Sequence, residues 1–123
     1  MTTSKPLKLT RPEPTEADVL ASIIVYLTAQ QRLGRVVWFS RMNTGAGKLQ
    51  YGNGTSQFMR FGFKGCPDIL GQLPCGRLLA VEVKRPSGRV SEDQASFISK
   101  AANSGAVAFV ARSVDDVARV MAA

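Results

Sequence analysis

Apolar residues recur along this chain at two different spacings, which predict its helices and strands. Between Thr15 and Gly34 they recur at helical spacing, so a first helix is expected with Thr15 as its N-cap. A second helix is expected to begin at Ser91, where Ser91 and Gln94 form a capping box. A short last helix is predicted after Ser113, which has the side chain of an N-cap residue.

Between these helices, runs of β-branched and aromatic residues predict strands. Residues 35–40 read as a short strand in which Trp38 belongs to the core, and the apolar run 106–111 as a strand buried on both faces of a sheet. Residues 48–61 and 65–84 each read as a β-hairpin. The order α-β-(β-hairpin)-β-β-α-β-α predicts an α/β fold, with helices packed on a central mixed β-sheet.

The hairpin in residues 65–84 brings charged side chains together. If residues 74–76 form a three-residue loop, antiparallel pairing places Asp68 opposite Glu82, with Cβ atoms about 4.5–5.5 Å apart. Because side chains alternate along a strand, Glu82 and Lys84 point to the same face. Two carboxylates and an ammonium group are therefore expected at one end of the hairpin.

Two interpretations of this cluster stay open on spacing alone. Like charges directly opposed in a sheet are unfavourable, and a divalent cation held by oxygen ligands compensates them. The other interpretation is an ordinary ion cluster of Asp68, Glu82 and Lys84 at the edge of a sheet. The first interpretation predicts a metal site, and the second a structural contact.

The net charge of +7 is concentrated around this hairpin. Residues 35–89 contain nine of the sixteen basic residues and two of the nine acidic residues, whereas the rest of the chain is neutral. A basic surface near a metal site attracts polyanions, which favours nucleic acid over a merely soluble basic protein. The candidate nucleic-acid-binding residues are Arg41, Asn43, Lys48, Arg60, Lys64, Arg85 and Arg89.

Other features limit the chemistry and the organisation of the chain. The sequence has no histidine and two cysteines, Cys66 and Cys75, which excludes His-based catalysis and zinc fingers and indicates reduced thiols. The loop 41–47 lacks the glycine spacing of a P-loop, so no nucleotide cofactor is expected. No apolar run is long enough to span a membrane. We expect a cytoplasmic protein with a flexible tail at 1–13 and one domain at 14–123.

The spacing also resembles a known pattern. Pro67-Asp68, thirteen intervening residues and then Glu82-Val83-Lys84 is similar to the signature of the PD-(D/E)XK nucleases. The residues around it resemble the VRR-NUC branch, the virus-type replication-repair nucleases. This wider resemblance covers residues 15–120 and includes the segments 41–45, 65–68 and 91–94.

The resemblance implies a restriction-endonuclease-like core and a Mg²⁺- or Mn²⁺-dependent DNA endonuclease of bacteria or phage-infected cells. It implies that the metal is bound by Asp68, Glu82, the Val83 carbonyl and Glu16, and that Lys84 and Gln94 join Asp68 and Glu82 in catalysis. It further implies a homodimer that cuts branched DNA, such as four-way junctions. The alternative is a nucleic-acid-binding module that has lost catalysis. For the hairpin 48–61, DNA binding and dimerisation both stay open.

Overall fold

The described part of the chain forms three helices and six strands in the predicted order. The structure, a computed structural model, describes residues 12–42 and 45–123, with the backbone alone for 45–49 and 57–61. The elements are α1 (Glu16–Arg32), β1 (Trp38–Arg41), β2 (Gly45–Gln50), β3 (Ser56–Phe61), β4 (Ile69–Gln72), β5 (Leu78–Val83), α2 (Glu92–Asn103), β6 (Val107–Ala111) and α3 (Val114–Ala122).

Four of the strands form one mixed sheet, in the order β1-β4-β5-β6. β1, β4 and β5 pair antiparallel, while β5 and β6 pair parallel, with α2 as the connection between them. Parallel neighbours need a long crossover, and a helix is its usual form. The predicted α/β fold, with helices on a mixed sheet in a restriction-endonuclease-like core, is therefore confirmed.

The main core lies on one face of this sheet. Alternate residues of β4 and β5 point to that face and meet the apolar stripe of α1, because strand side chains alternate and helical positions recur every three or four residues. The fully buried members include Ile23 and Leu27 of α1, Leu79 and Val81 of β5, and Val117 of α3. α2 contributes no residue to this core and packs against β5 and β6. The opposite face of β5 carries Glu82.

Two packing predictions and one strand boundary were wrong. Trp38 was expected in the core, but 44% of it is exposed, and its indole N–H donates to Gln72 Oε1 at 3.1 Å. The strand expected at 35–40 begins only at Trp38, although Val36 before it is buried. β6 was expected to be buried on both faces, yet only Ala111 in it is fully buried. β6 is an edge strand, so one side of it has no neighbour in the described sheet.

The second predicted hairpin is present as a separate two-stranded sheet of β2 and β3. Its turn is closed by Asn53, whose Oδ1 accepts hydrogen bonds from the backbone N–H of Thr55 at 3.1 Å and from the Thr55 hydroxyl at 2.6 Å. Gly54 has a φ of +84°, which a glycine adopts without steric cost. This asparagine–glycine turn matches the chemistry that predicted it.

Candidate metal and nuclease site

A tight turn fixes how the two acidic residues of the central hairpin face each other. The backbone N–H of Leu73 donates to the carbonyl of Arg77 at 3.0 Å, which closes a loop of three residues. Gly76 takes the left-handed conformation in this loop, with a φ of +92°. Ile69 then pairs with Val81, as predicted, so the next step of the ladder leads to Asp68 and Glu82.

Asp68 is held by hydrogen bonds on both its side chain and its main chain. Its Oδ2 accepts from the backbone N–H of Val83 at 2.8 Å, and its carbonyl accepts from the N–H of Met42 at 2.7 Å. Cys66 and Pro67 before it are buried. Since one carboxylate oxygen is bound to β5, the orientation of the other is also restricted.

Three carboxylates meet at this end of the sheet. One oxygen each from Glu16, Asp68 and Glu82 can be chosen so that all three lie within 4.8 Å of one another. Glu16 comes from the first turn of α1, whose start is fixed by a capping box between Thr15 and Asp18. The structure thus brings together three side chains that are far apart in sequence.

Glu82 is the most deeply buried member of the cluster, with 1% of the residue exposed. Its Oε2 is buried and, among the described residues, has no hydrogen-bond partner. Burial, reinforced by the negative charge of Asp68, raises the pKa of Glu82 to about 8, and the ammonium group of Lys84 opposes that rise. A buried carboxylate oxygen that accepts no hydrogen bond is a good candidate to bind a cation.

These residues fit a hard divalent cation. Mg²⁺ and Mn²⁺ prefer oxygen ligands, and the site offers three carboxylates, one of them with an unsatisfied buried oxygen. A bound cation would replace the repulsion between Asp68 and Glu82 by attraction to both. The contact predicted for the Val83 carbonyl stays a prediction.

Lys84 lies beside this cluster on the same strand. Its Nζ is 3.6 Å from Glu82 Oε1, and 11% of its side chain is exposed. Its backbone N–H donates to the carbonyl of Ala111 at 3.0 Å, which continues the parallel ladder past the end of β5. The lysine is therefore a nearly buried positive charge, held at a fixed place next to the carboxylates.

Gln94 has a structural function in α2, and its catalytic role stays a prediction. Its Oε1 accepts from the N–H of Ser91 at 3.0 Å, and its own N–H donates to Ser91 Oγ at 3.2 Å. The start of α2 is also packed against the segment before Asp68. The Cβ of an alanine at residue 65 would lie 2.4 Å from the carbonyl oxygen of Asp93.

The predicted nucleic-acid-binding residues occupy different positions around the site. Arg85 and Arg89 are exposed on the turn that follows Lys84. Lys64 is exposed and forms an ion pair with Asp93 at 3.5 Å. Arg41 is exposed and lines a groove of about 280 Å³ together with Leu20 and other residues of α1. Asn43, and the side chains of Lys48 and Arg60, lie outside the described residues.

One residue beside the site was missed by the sequence analysis. The Nη1 of Arg112 donates to the carbonyls of Arg85, Pro86 and Gly88 at 3.0, 3.1 and 2.7 Å. The useful signal was the parallel pairing of β5 with β6. Val83 pairs with Ala111 at the ends of the two parallel strands, so the residues that follow them, Lys84 and Arg112, are also neighbours.

The mixed sheet, the antiparallel Asp68–Glu82 hairpin and the lysine two residues after Glu82 have the arrangement that the PD-(D/E)XK resemblance predicted for a nuclease site. The model of the VRR-NUC domain family matches residues 19–115, well over half of the chain. The chain belongs to the VRR-NUC family. Glu16 lies just outside the matched range.

Searches of curated proteins and of solved structures gave no match to this chain. In the part of the chain that the structure describes, no helix combines the length and the apolar composition that crossing a membrane requires. The family match is therefore the comparison on which the assignment to a nuclease class depends.

Proposed function

We propose that this protein is a Mg²⁺- or Mn²⁺-dependent endodeoxyribonuclease that hydrolyses phosphodiester bonds in branched DNA. The observation that carries the proposal is the cluster of Glu16, Asp68 and Glu82 beside Lys84. A purely structural ion cluster would satisfy its buried oxygens, whereas Glu82 Oε2 has no partner among the described residues. Family membership supports the same type of chemistry.

The acidic residues have distinct tasks in this proposal. Asp68 and Glu82 bind the cation through carboxylate oxygens, and Glu16 adds a third from the start of α1. The hydrogen bond from Val83 to Asp68 keeps the first carboxylate in place before metal binds. When bound, the cation supplies Lewis acidity towards the scissile phosphate and the attacking water.

Lys84 acts electrostatically in this proposal. Its ammonium group lies 3.6 Å from Glu82 Oε1. A charged lysine cannot accept a proton, but it can donate hydrogen bonds to a phosphate oxygen and stabilise the charge that develops there. The task of Lys84 is therefore to orient the phosphate or the water, with no role as general base.

The proposed substrate is branched DNA, and the proposed assembly is a homodimer. Cutting two strands needs two active sites, and a symmetric dimer provides them from one small domain. Trp38 of β1 and Leu78 of β5 are exposed apolar residues that pair with Gln72 of β4 from its two sides. Apolar surface is therefore available away from the carboxylates. The exposed Arg85 and Arg89 add positive charge close to Lys84.

A panel of four-way junctions, flaps, nicked duplexes and linear duplexes, each tested with Mg²⁺ and with Mn²⁺, tests the proposal. We expect cleavage of branched DNA by the wild-type protein and none by Asp68→Asn. The matched control is Asp115→Asn, which removes the same charge from an exposed position in α3. Gel shifts in Ca²⁺ separate loss of cleavage from loss of binding.

Three results would contradict the proposal, each in a different part. DNA binding without cleavage in either metal would favour a module that has lost catalysis. Cleavage restricted to linear duplex would remove branched DNA as the substrate. A stable monomer in light scattering, with full activity on junctions, would remove the homodimer.

A further inference from the structure

The turn that follows Lys84 carries a bound carboxylate. Residues 85–88 form a β-turn, in which the N–H of Gly88 donates to the carbonyl of Arg85 at 2.9 Å. Glu13, two residues before the N-cap of α1, reaches this turn. Its Oε1 accepts from the backbone N–H of Ser87 at 2.5 Å, and its Oε2 accepts from the Ser87 hydroxyl at 2.8 Å. Both carboxylate oxygens are thus bound by one residue.

The turn is rigid because a second group holds its carbonyls. Arg112 binds three of them through one guanidinium nitrogen, and its own backbone N–H donates to Asp116 Oδ2 at 2.8 Å. With the carbonyls turned towards Arg112, the N–H of Ser87 is available to an anion. A rigid donor pair loses little entropy on binding, which favours a specific anion site over an adaptable loop.

The electrostatics of the turn also favour an anion. The backbone N–H and the hydroxyl of Ser87 lower the pKa of the Glu13 carboxyl, and the positive charge of Arg85 adds to that effect. Arg85 and Arg89 are both exposed beside the turn. A backbone N–H, a serine hydroxyl and an arginine are donors that proteins commonly use to bind nucleic-acid phosphates.

The distance from the proposed catalytic residues is suitable for DNA. Ser87 follows Lys84 by three residues, so their Cα atoms are at most about 11 Å apart. Phosphates of one DNA strand are spaced about 3.4 Å apart along the helix axis. Ser87 and Lys84 are therefore close enough to contact phosphates of the same short stretch of DNA.

We infer that Ser87 and Arg85 form a binding site for a backbone phosphate of DNA, and that Glu13 occupies this site in the free protein as a phosphate mimic. DNA displaces the Glu13 carboxylate and takes over its two hydrogen bonds. Glu13 then acts as an intramolecular competitor. It raises the apparent Kd for DNA in inverse proportion to the fraction of time that the turn is free of Glu13. The identity of the ligand rests on the proposed nuclease function.

A structural alternative makes the opposite prediction. Glu13 precedes Glu16 by three residues, so its contact with Ser87 could serve to hold the start of α1 beside the metal site. In that case removing the carboxylate loosens Glu16 and weakens the binding of metal. Removing a phosphate mimic instead strengthens the binding of DNA and leaves the binding of metal unchanged.

The test measures DNA binding in Ca²⁺ by fluorescence anisotropy, for the wild type, Glu13→Gln, Ser87→Ala and the double variant. We expect Glu13→Gln to bind a four-way junction about three- to tenfold more tightly. The slope of log K against log salt should stay close to that of the wild type, because the same phosphates are contacted in both complexes once Glu13 is displaced. Ser87→Ala should remove most of this gain in the double variant. Asp115→Asn, the matched loss of an exposed negative charge, should give a smaller gain that Ser87→Ala does not remove.

Two further measurements separate the sources of failure. Millimolar inorganic phosphate, followed through the amide signal of Ser87, should displace Glu13 far less effectively than DNA, since it lacks the neighbouring phosphates. The rise in Tm on addition of Mn²⁺ reports the metal site, and this rise should be the same in Glu13→Gln as in the wild type. Unchanged or weaker DNA binding by Glu13→Gln overturns this inference alone, whereas absence of DNA binding by the wild type overturns the proposed function as well.

Discussion

Asp68 Oδ2 accepts a hydrogen bond of 2.8 Å from the backbone N–H of Val83, the residue between Glu82 and Lys84. This contact joins the residue before β4 to the end of β5, so the loop carrying Asp68 cannot move independently of the strand carrying the other two side chains. It also places one oxygen of Asp68 at the main chain and leaves the second for another partner. The spacing of the three charged groups is therefore set by backbone pairing more than by contacts among the side chains.

The first prediction concerns the catalytic residues. Asp68→Asn, Glu82→Gln and Lys84→Met are close to isosteric, so each should fold, and each should reduce the cleavage rate by at least about 100-fold, the scale for losing one preorganised electrostatic group. DNA affinity in Ca²⁺ should change far less for Lys84→Met than cleavage does. Single-turnover cleavage beside anisotropy measures both quantities. Cleavage by Lys84→Met at the wild-type rate would contradict the role given to this lysine.

The second prediction concerns the pH dependence of stability without metal. The pKa of Glu82 is raised to about 8 in the fold, above its ordinary value near 4.5, so the folded state binds more protons than the unfolded state between these values. The free energy of unfolding should then fall as pH rises from about 5 to about 8, because stability decreases wherever the native state binds more protons. Urea unfolding in EDTA across this range measures the effect.

Glu82→Gln is the matched variant for this measurement, because it cannot ionise. It should flatten the profile and be more stable than the wild type at pH 8 in EDTA. The sequence has no histidine, and the pKa values of Glu13, Asp18 and Asp116 are lowered by hydrogen bonds, so these groups titrate below the range. A wild-type profile as flat as that of Glu82→Gln would show that the Glu82 pKa is not raised.

The third prediction concerns stabilisation by metal. A ligand that binds only the folded state, present at 100 times its Kd, stabilises by about 2.7 kcal/mol. Mn²⁺ or Mg²⁺ should therefore raise the Tm of the wild type at pH 7.5, and EDTA should reverse the rise. Asp68→Asn and Glu82→Gln should lose this rise, and Glu16→Gln should lose part of it. An equal rise in Asp68→Asn would place the metal elsewhere.

The order of the elements and the register of the central hairpin could be predicted because they depend on local signals. Gly76 supplies the left-handed turn residue, and Thr15 and Ser91 supply N-caps, so each boundary has a residue that explains it. Once the three-residue loop is known, the pairing of Ile69 with Val81 follows by counting. The closeness of Asp68 and Glu82 was therefore available from the sequence.

The errors concern packing, which local signals do not determine. Trp38 lies in a strand whose composition suggested burial, but its side chain is on the exposed part of an edge strand. The apolar residues of β6 suggested burial on both faces of the sheet, yet β6 is an edge strand in which only Ala111 is fully buried. Glu13 was assigned to a flexible tail, although it is bound to Ser87, 74 residues away in the sequence. Contacts at such separations depend on the complete fold.

The fourth prediction concerns Gly65, which lies three residues before Asp68 and packs against the start of α2. Its φ is +81°, and a Cβ at this position would lie 2.4 Å from Asp93 O and 2.8 Å from Asp93 C, which are backbone atoms and cannot move aside freely. Gly65→Ala should therefore destabilise the fold by about 2–4 kcal/mol, because it combines overpacking with a strained backbone. Gly105→Ala is the matched control, since Gly105 has a φ of +101° with no atom within 4 Å of the added Cβ. If urea unfolding shows that both variants lose the same free energy of unfolding, the close approach of Asp93 contributes nothing and only the positive φ of the glycine matters.

The fifth prediction concerns Arg112, which holds the turn after Lys84. Its Nη1 donates to three carbonyls of that turn, and a methionine keeps the length of the side chain but supplies no donor. Arg112→Met should loosen the turn and lower DNA affinity in Ca²⁺ more than the loss of one surface charge does, because Arg85 and Ser87 depend on the conformation of the turn. Arg119→Met, in the exposed part of α3, is the matched control for charge. If the two variants lose the same affinity, Arg112 contributes only its charge, and the rigidity assigned to residues 85–88 is wrong.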